Sequence, residues 1–331
     1  MTVWFLRMSV RLPSLLCVIT LGVGCSAKDE PGVRLGQSVT DFFGERVTIP
    51  ANVRRVIPIS HVQSEYMCIV GARDKVVGVG VVHPNSVIFE RICPDIYALP
   101  RVGANTINLE TIVELDPDVV LSGNNRQMVE NITRLGIVAV GSFPRDIDGI
   151  VEQVRLTGLV AGKEEEAQDI IDHLSSRMRL IREVTEAMPA DQKPRVYYAR
   201  YQLHETMGGG IYSEIIDVAG GRNVVSHMGE SGQSLVVSLE NIYEWNPEII
   251  ILRDKTPLSV DDLLNDPRLK GIRAIRNHRI YRETSNWSEF RIETFFGIME
   301  KAKWFHPGLF TDLDPAVEYE NFLELVESFY R

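Results

Sequence analysis

Short apolar runs alternate with amphipathic stretches along the chain from Gly36 onward. The runs RRVIPIS (54–60), VVGVGVV (76–82), DVVLSG (118–123) and IVAVGS (137–142) read as strands, each an apolar centre bounded by charges or turn residues. RVYYARY (195–201), EIIILRD (248–254) and RIYRETS (279–285) repeat the pattern further on. Between them SEYMCIVGA (64–72) reads as a helix with Ser64 as its cap and Gly71 near its stop, and NRQMVENITRLG as one that ends at Gly136. SEIIDVAGG (213–221), FFGIMEKAKWF (295–305) and AVEYENFLELVESFY (316–330) are further helices. Strands alternating with helices predict βα units and mainly parallel sheets.

The pattern breaks once, at a helical stretch from about Ile147 to Met188. It is clearest after Lys163, where Ala167, Ile170, Ile171, Leu174, Met178 and Ile181 recur at helical spacing. Acids come early in it and arginines late, which suits the helix dipole, and Pro189 and Pro194 end it. A helix from Glu164 to Ala187 would span about 35 Å, long enough to join two lobes. The expected fold class is therefore α/β, two lobes with mainly parallel central sheets joined by one long rigid helix.

The halves also share a motif. NLETIVELDPDVVLSGN (108–124) and SLENIYEWNPEIIILRD (238–254) align with an offset of 130 residues, both following Leu-Glu-x-Ile-x-Glu-x-x-Pro-acid and then an apolar strand. The unit is a short helix, a Pro-started turn and a strand entering the sheet.

The N-terminus adds a destination. Arg7 and Arg11 precede an apolar run over 12–24, too short for the roughly 20 residues that cross a bilayer and typical of an export signal. The run ends in Val23-Gly24-Cys25-Ser26, which resembles the lipobox of bacterial lipoproteins and makes Cys25 the candidate lipidation site; Gly22 stands where such boxes usually have Leu. SAKDEPG then reads as a tether. The division expected is a signal over 1–25, a tether over 26–35, a first lobe over 36–160, a connecting helix over 161–190 and a second lobe over 191–331. Cys68 and Cys93 remain, either paired in an oxidising compartment or as two inert buried thiols.

Composition excludes more than it assigns. The 331 residues carry a formal charge of −10, which argues against nucleic-acid binding. There is no G-x-S-x-G and no Walker A motif, and Gly78-Val79-Gly80 lacks the third glycine of a dinucleotide loop. Gly208-Gly209-Gly210 opens onto a helix and reads first as a turn. No Cys-x-x-Cys, H-x-H or H-E-x-x-H occurs, so no protein metal centre and no tightly bound cofactor is expected. The chain is not expected to be an enzyme.

The repeat, together with VAGGRNVV, LLNDPRLKGIRAIRNHRIYRETSNW and FHPGLFTDLDP in that order, resembles the substrate-binding proteins of bacterial ABC importers for iron–siderophore, haem and cobalamin. The resemblance covers about Gly36 to Arg331. It implies an exported monomer that captures a metal chelate, a ferric siderophore first, and delivers it to a permease dimer, touching the membrane only through its lipid. It also implies that Glu110 and Glu240, one per repeat, dock on permease arginines; by spacing alone they read as helix caps. A cleft between such lobes is lined by loops at the carboxyl ends of the strands. This makes Ser60, His61, His83, Asn105, Asn124, Arg126, Arg200, Tyr201, Asn286, Trp287 and Arg291 the candidate ligand contacts, with Ser234 in a further second-lobe loop. Arginine pairs with carboxylate or catecholate oxygens, and Trp or Tyr lies flat on a chelate face. Cobalamin or haem is the alternative ligand, and a metalloenzyme of similar architecture the alternative from another class.

Overall fold

The computed structural model describes residues 36–103, 106–228, 233–285, 287 and 290–331. A hairpin of β1 (Gln37–Thr40) and β2 (Arg46–Ile49) comes first. The first lobe is built on three parallel strands in sequence order, β3 (Val56–Pro58), β4 (Val119–Leu121) and β5 (Val138–Val140). Around them lie α1 (His61–Ile69), α2 (Val87–Ile92), α3 (Leu109–Glu114), α4 (Arg126–Arg134) and α5 (Ile147–Ala161). After α6 (Glu164–Glu186) come β6 (Arg195–Ala199), β7 (Glu205–Met207), α7 (Ile211–Val218), β8 (Arg222–Asn223), β9 (Ser234–Val236), α8 (Leu239–Trp245) and β10 (Ile249–Leu252). The chain continues through α9 (Val260–Asn265), α10 (Arg273–Arg276), β11 (Ile280–Arg282), α11 (Thr294–Phe305) and α12 (Pro315–Ser328). The second sheet is parallel, in the order β11-β10-β6-β8, and β7 pairs antiparallel with β9.

The strands alternate between two cores, as the pleat requires. Val56, Val119, Leu121 and Val140 of the first sheet share one continuous core with Val196, Tyr198, Ile249 and Ile251 of the second. Helices α5, α6, α7, α11 and α12 fill that core. The intervening residues face separate outer cores, Ile57, Val120 and Ala139 in one lobe and Tyr197, Ile250 and Leu252 in the other.

Three sequence expectations need correction. The run 76–82 is not a strand, although it is extended beside β3 with isolated bridges at Val76 and Val79. Its amides turn to both sides, Val77 and Gly80 donating to Val56 and Pro58 carbonyls while Val79 donates to Pro100, so no regular ladder forms. Gly80 fits because a Cβ there would lie 2.0 Å from the Ile59 carbonyl oxygen. The stretch 147–188 is two helices: Gly162 takes a left-handed conformation (φ 64°) that ends α5, and α6 packs back against it. The apolar positions read from the sequence are the buried face of α6. Finally, α1 starts earlier than expected, capped by Ser60 and not Ser64.

Cys68 and Cys93 form a disulfide, with Cα atoms 6.1 Å apart. The chain beyond α12 packs on it: Tyr330 Oη donates to the Cys68 carbonyl at 2.7 Å and lies 3.3 Å from Cys93 Sγ. Arg91 of α2 pairs with Glu320 and Glu327 of α12. A helix that follows the second sheet in sequence thus covers the first lobe.

Candidate ligand-binding cleft

The loops at the carboxyl ends of both sheets carry the chemistry. In the first lobe Ser60 caps α1 in a reciprocal capping box, its Oγ accepting from the Gln63 amide at 3.2 Å while its own amide donates to Gln63 Oε1 at 3.0 Å. Gln63 Nε2 donates to the Ser142 carbonyl at 2.8 Å, which fixes the loop after β5 to the start of α1. His61, the first residue of α1, is 8% exposed. Its Nδ1 accepts the His83 amide at 3.0 Å, and the two imidazole centroids are 5.0 Å apart. Because Nδ1 is an acceptor, a neutral ring carries its proton on Nε2, which lies 3.1 Å from Glu65 Oε1.

Glu65, one turn along α1, is the hub. It is 3% exposed, accepts from Ser86 Oγ at 2.6 Å, and receives Arg291 from the second lobe. Arg291 Nε donates to Oε2 at 3.1 Å, and Nη2 pairs with Oε1. Burial alone would raise the Glu65 carboxyl, but the hydrogen bond from His61 and the charge of Arg291 hold it down at about 2. Glu293, 3.8 Å from Arg291 Nε, is fully enclosed; burial and then the Glu65 charge push it up to about 7 against the pull of Arg291. Its Oε2 and the nearby Tyr66 Oη have no hydrogen-bond partner among the described residues. The His83 imidazole is held below its usual value by desolvation, then by His61, Lys255 and Arg291, so it faces the field of second-lobe cations.

The second-lobe wall carries two arginines, with Asp254 Oδ1 3.8 Å from Arg253 Nε. Arg200 and Tyr201 follow β6, and Arg253 follows β10. Both guanidiniums lie over the Tyr201 ring, each 4.8 Å from its centroid. Arg200 Nε is buried without a hydrogen-bond partner among the described residues. Arg282 at the end of β11 donates to the carbonyls of Asp254 (3.1 Å), Thr256 (3.0 Å) and Leu258, and so shapes the loop that carries Arg253 and Lys255.

Of the residues singled out in the sequence, Ser60, His61, His83 and Arg291 come together, and Arg200 and Tyr201 adjoin each other on the facing lobe. Asn124 is exposed at the end of β4. Arg126 is engaged by Glu45 at 2.8 Å and by the Phe43 carbonyl and ring. Trp287, expected to lie flat on a chelate, is 8% exposed and packs against Phe296 and Tyr319 in the shared core. Its apolar ring gains more there than on a cleft wall. Ser234 opens β9 and pairs with Met207, not at the end of a parallel strand. Cys25, Asn105 and Asn286 lie outside the described residues. Glu65, Glu293 and Arg253 were missed. Glu65 stands four residues after His61, a spacing that joins two side chains on one helix face, inside a segment read only as apolar. Among the described residues, no three His, Cys, Asp or Glu side chains converge as a metal cage.

Glu110 and Glu240 are exposed at matching second positions of α3 and α8. Neither is the cap: Asn108 and Ser238 are, through their side-chain oxygens.

A family model described as periplasmic binding protein matches residues 63–286. The chain belongs to that family. Such proteins are extracytoplasmic and bind solutes for transport, which fits a carrier role for this periplasmic binding protein. It is 25% identical to the molybdate-binding protein MolA of Haemophilus influenzae, over 83% of this chain and 86% of that protein. A solved structure of MolA bound to molybdate superposes with a TM-score of 0.72 at 23% identity, covering 88% of this chain and 98% of that one. A periplasmic solute-binding protein of Veillonella parvula superposes with a TM-score of 0.74 at 23% identity, covering 88% and 93%. A cobalamin-binding protein of Halobacterium salinarum is 25% identical over 67% of this chain and 59% of its own length.

Proposed function

We propose that this periplasmic binding protein captures an anionic metal complex, a ferric siderophore first, and delivers it to the permease of an ABC importer. The observation that carries the reading is the pair Arg200 and Arg253 on Tyr201, with one buried Arg200 N–H lacking an acceptor among the described residues. Guanidiniums stacked on a ring are preorganised for carboxylate or catecholate oxygens, and an unmade buried bond is an energetic reason to take one. Arg291, His61 and His83 line the facing wall. A second reading is a metal oxyanion, favoured by the same cations and by the similarity to MolA over most of the chain. Cobalamin and haem fit less well, because the Tyr201 ring already carries guanidiniums. We also propose that Glu110 and Glu240 dock on the permease and that Cys25 is lipidated.

The test is isothermal titration and thermal shift against ferric carboxylate, catecholate and hydroxamate siderophores, molybdate, cobalamin and haemin. A ligand at 100 times its Kd should stabilise the protein by about 2.7 kcal/mol. Anionic complexes are expected to shift the melt, and Arg200→Gln to weaken them. Stabilisation by cobalamin or haemin alone would overturn the reading.

A further inference from the structure

We propose that Glu65 sets the ligand charge that the cleft accepts, by cancelling the Arg291 cation that reaches in from the opposite lobe. The inference rests on the anionic-ligand reading above and names the residue that tunes it.

The geometry gives Glu65 this position. Its two oxygens face four donors: Ser86 Oγ and His61 Nε2 on Oε1, Arg291 Nε on Oε2, and Arg291 Nη2. A buried carboxylate so fully bonded stays ionised, and its depressed pKa agrees. Two side chains assigned to the ligand, one from each lobe, are therefore oriented by one acid. His61 Nε2 and Arg291 Nη2 sit 2.8 Å apart; with the His61 proton on Nε2 both are donors, held against each other because Glu65 attracts both. The Arg291 side chain is 14% exposed, so the charge of the pair is felt in the cleft and not only in the core. Among the described residues, Glu293 is the other acid beside Arg291, and it is held toward its neutral form by burial and by Glu65 itself. Among the described residues Glu65 is thus the main counter-charge. With it in place the Arg291 charge on the first-lobe wall is balanced, while Arg200 and Arg253 stand on the Tyr201 ring of the other lobe with Asp254 beside Arg253.

Uncovering one unit charge about 7 Å from a bound anion changes affinity on the order of tenfold or more at the effective dielectric of such a site. The experiment compares Glu65→Gln, Arg291→Gln and the double variant with wild type by isothermal titration. The probes are molybdate, a ferric tris-catecholate trianion and a neutral ferric trihydroxamate, with circular dichroism to check the fold. The ratio of anion to neutral affinity should rise about tenfold in Glu65→Gln, fall about tenfold in Arg291→Gln, and lie between those two values in the double variant. The double variant leaves no uncompensated buried charge, so it keeps the test available if a single variant does not fold. A double-variant ratio no lower than that of Glu65→Gln or no higher than that of Arg291→Gln, or equal ratios in the two single variants, overturns the inference. If wild type binds no probe, the anionic-ligand reading fails by itself. In that case molybdate binding gained by Glu65→Gln supports the role of Glu65, and no gain overturns it.

Discussion

Glu293 and Glu65 share one arginine, yet they titrate in opposite directions because only Glu65 is fully bonded. The Glu293 carboxyl is raised from 4.5 to about 7, so between those pH values the folded protein keeps a proton that the unfolded chain has released. The stability from that proton is complete below about pH 4.5 and is lost as pH rises through 7. Glu65 works the other way: its contribution is complete above 4.5 and is lost as pH falls toward 2. Glu293→Gln should therefore gain on the order of 1–3 kcal/mol over wild type at pH 8 and nothing at pH 4.5. Urea unfolding at pH 4.5, 6 and 8 measures this; parallel pH profiles for the two proteins would remove the assignment. At this scale the sequence was partly legible. His61, His83 and Arg291, picked because strand ends predict where a cleft lies, come together in the structure. Glu65 was not, since its role depends on a residue 226 positions away, and Trp287 was misplaced because an apolar ring near a strand end suits a cleft wall and a core equally well.

At the scale of elements, period and punctuation were reliable guides wherever burial decides them. The buried face of α6 matches the spacing of its apolar residues, and the strands at 119–121, 138–140 and 249–252 fall inside the apolar runs. What failed was local geometry set by tertiary contacts. The run 76–82 has strand composition but splits its hydrogen bonds between two neighbours, and a single left-handed glycine makes two helices of one stretch. The two cysteines were undecided because pairing depends on the path of α2 back to α1. Their bridge closes 25 residues, which corresponds to about 3 kcal/mol of unfolded-state constraint. Cys68→Ala with Cys93→Ala should lower stability by about that amount and abolish the effect of reductant on the melting temperature. A melt equally sensitive to dithiothreitol in both proteins would contradict this.

For the whole molecule, the internal repeat announced two similar halves, and both sheets are parallel and similarly built. The repeat glutamates sit at matching exposed positions, the second residues of α3 and α8. Glu110→Arg with Glu240→Arg is expected to leave ligand affinity within about twofold and to reduce importer-dependent uptake by tenfold or more, since rim charges steer and orient a complex more than they tighten it. Uptake assays in cells carrying the variant check it, and unchanged uptake ends the docking proposal. The ligand was not legible, because loops define it and vary freely on a fixed scaffold. The shared core was not legible either, since an apolar residue does not reveal which lobe it will face.

That core and the return of α12 make the two halves inseparable. Arg91 and Glu327 meet across 236 residues, and Tyr330 reaches Cys68 across 262. A fragment ending after α6 would leave the inner face of its own sheet uncovered, and a fragment beginning at β6 would carry a helix whose partners are missing. Recombining halves from two such proteins, attractive because the repeat suggests interchangeable modules, requires that α12 and the inner face of the first sheet be exchanged together.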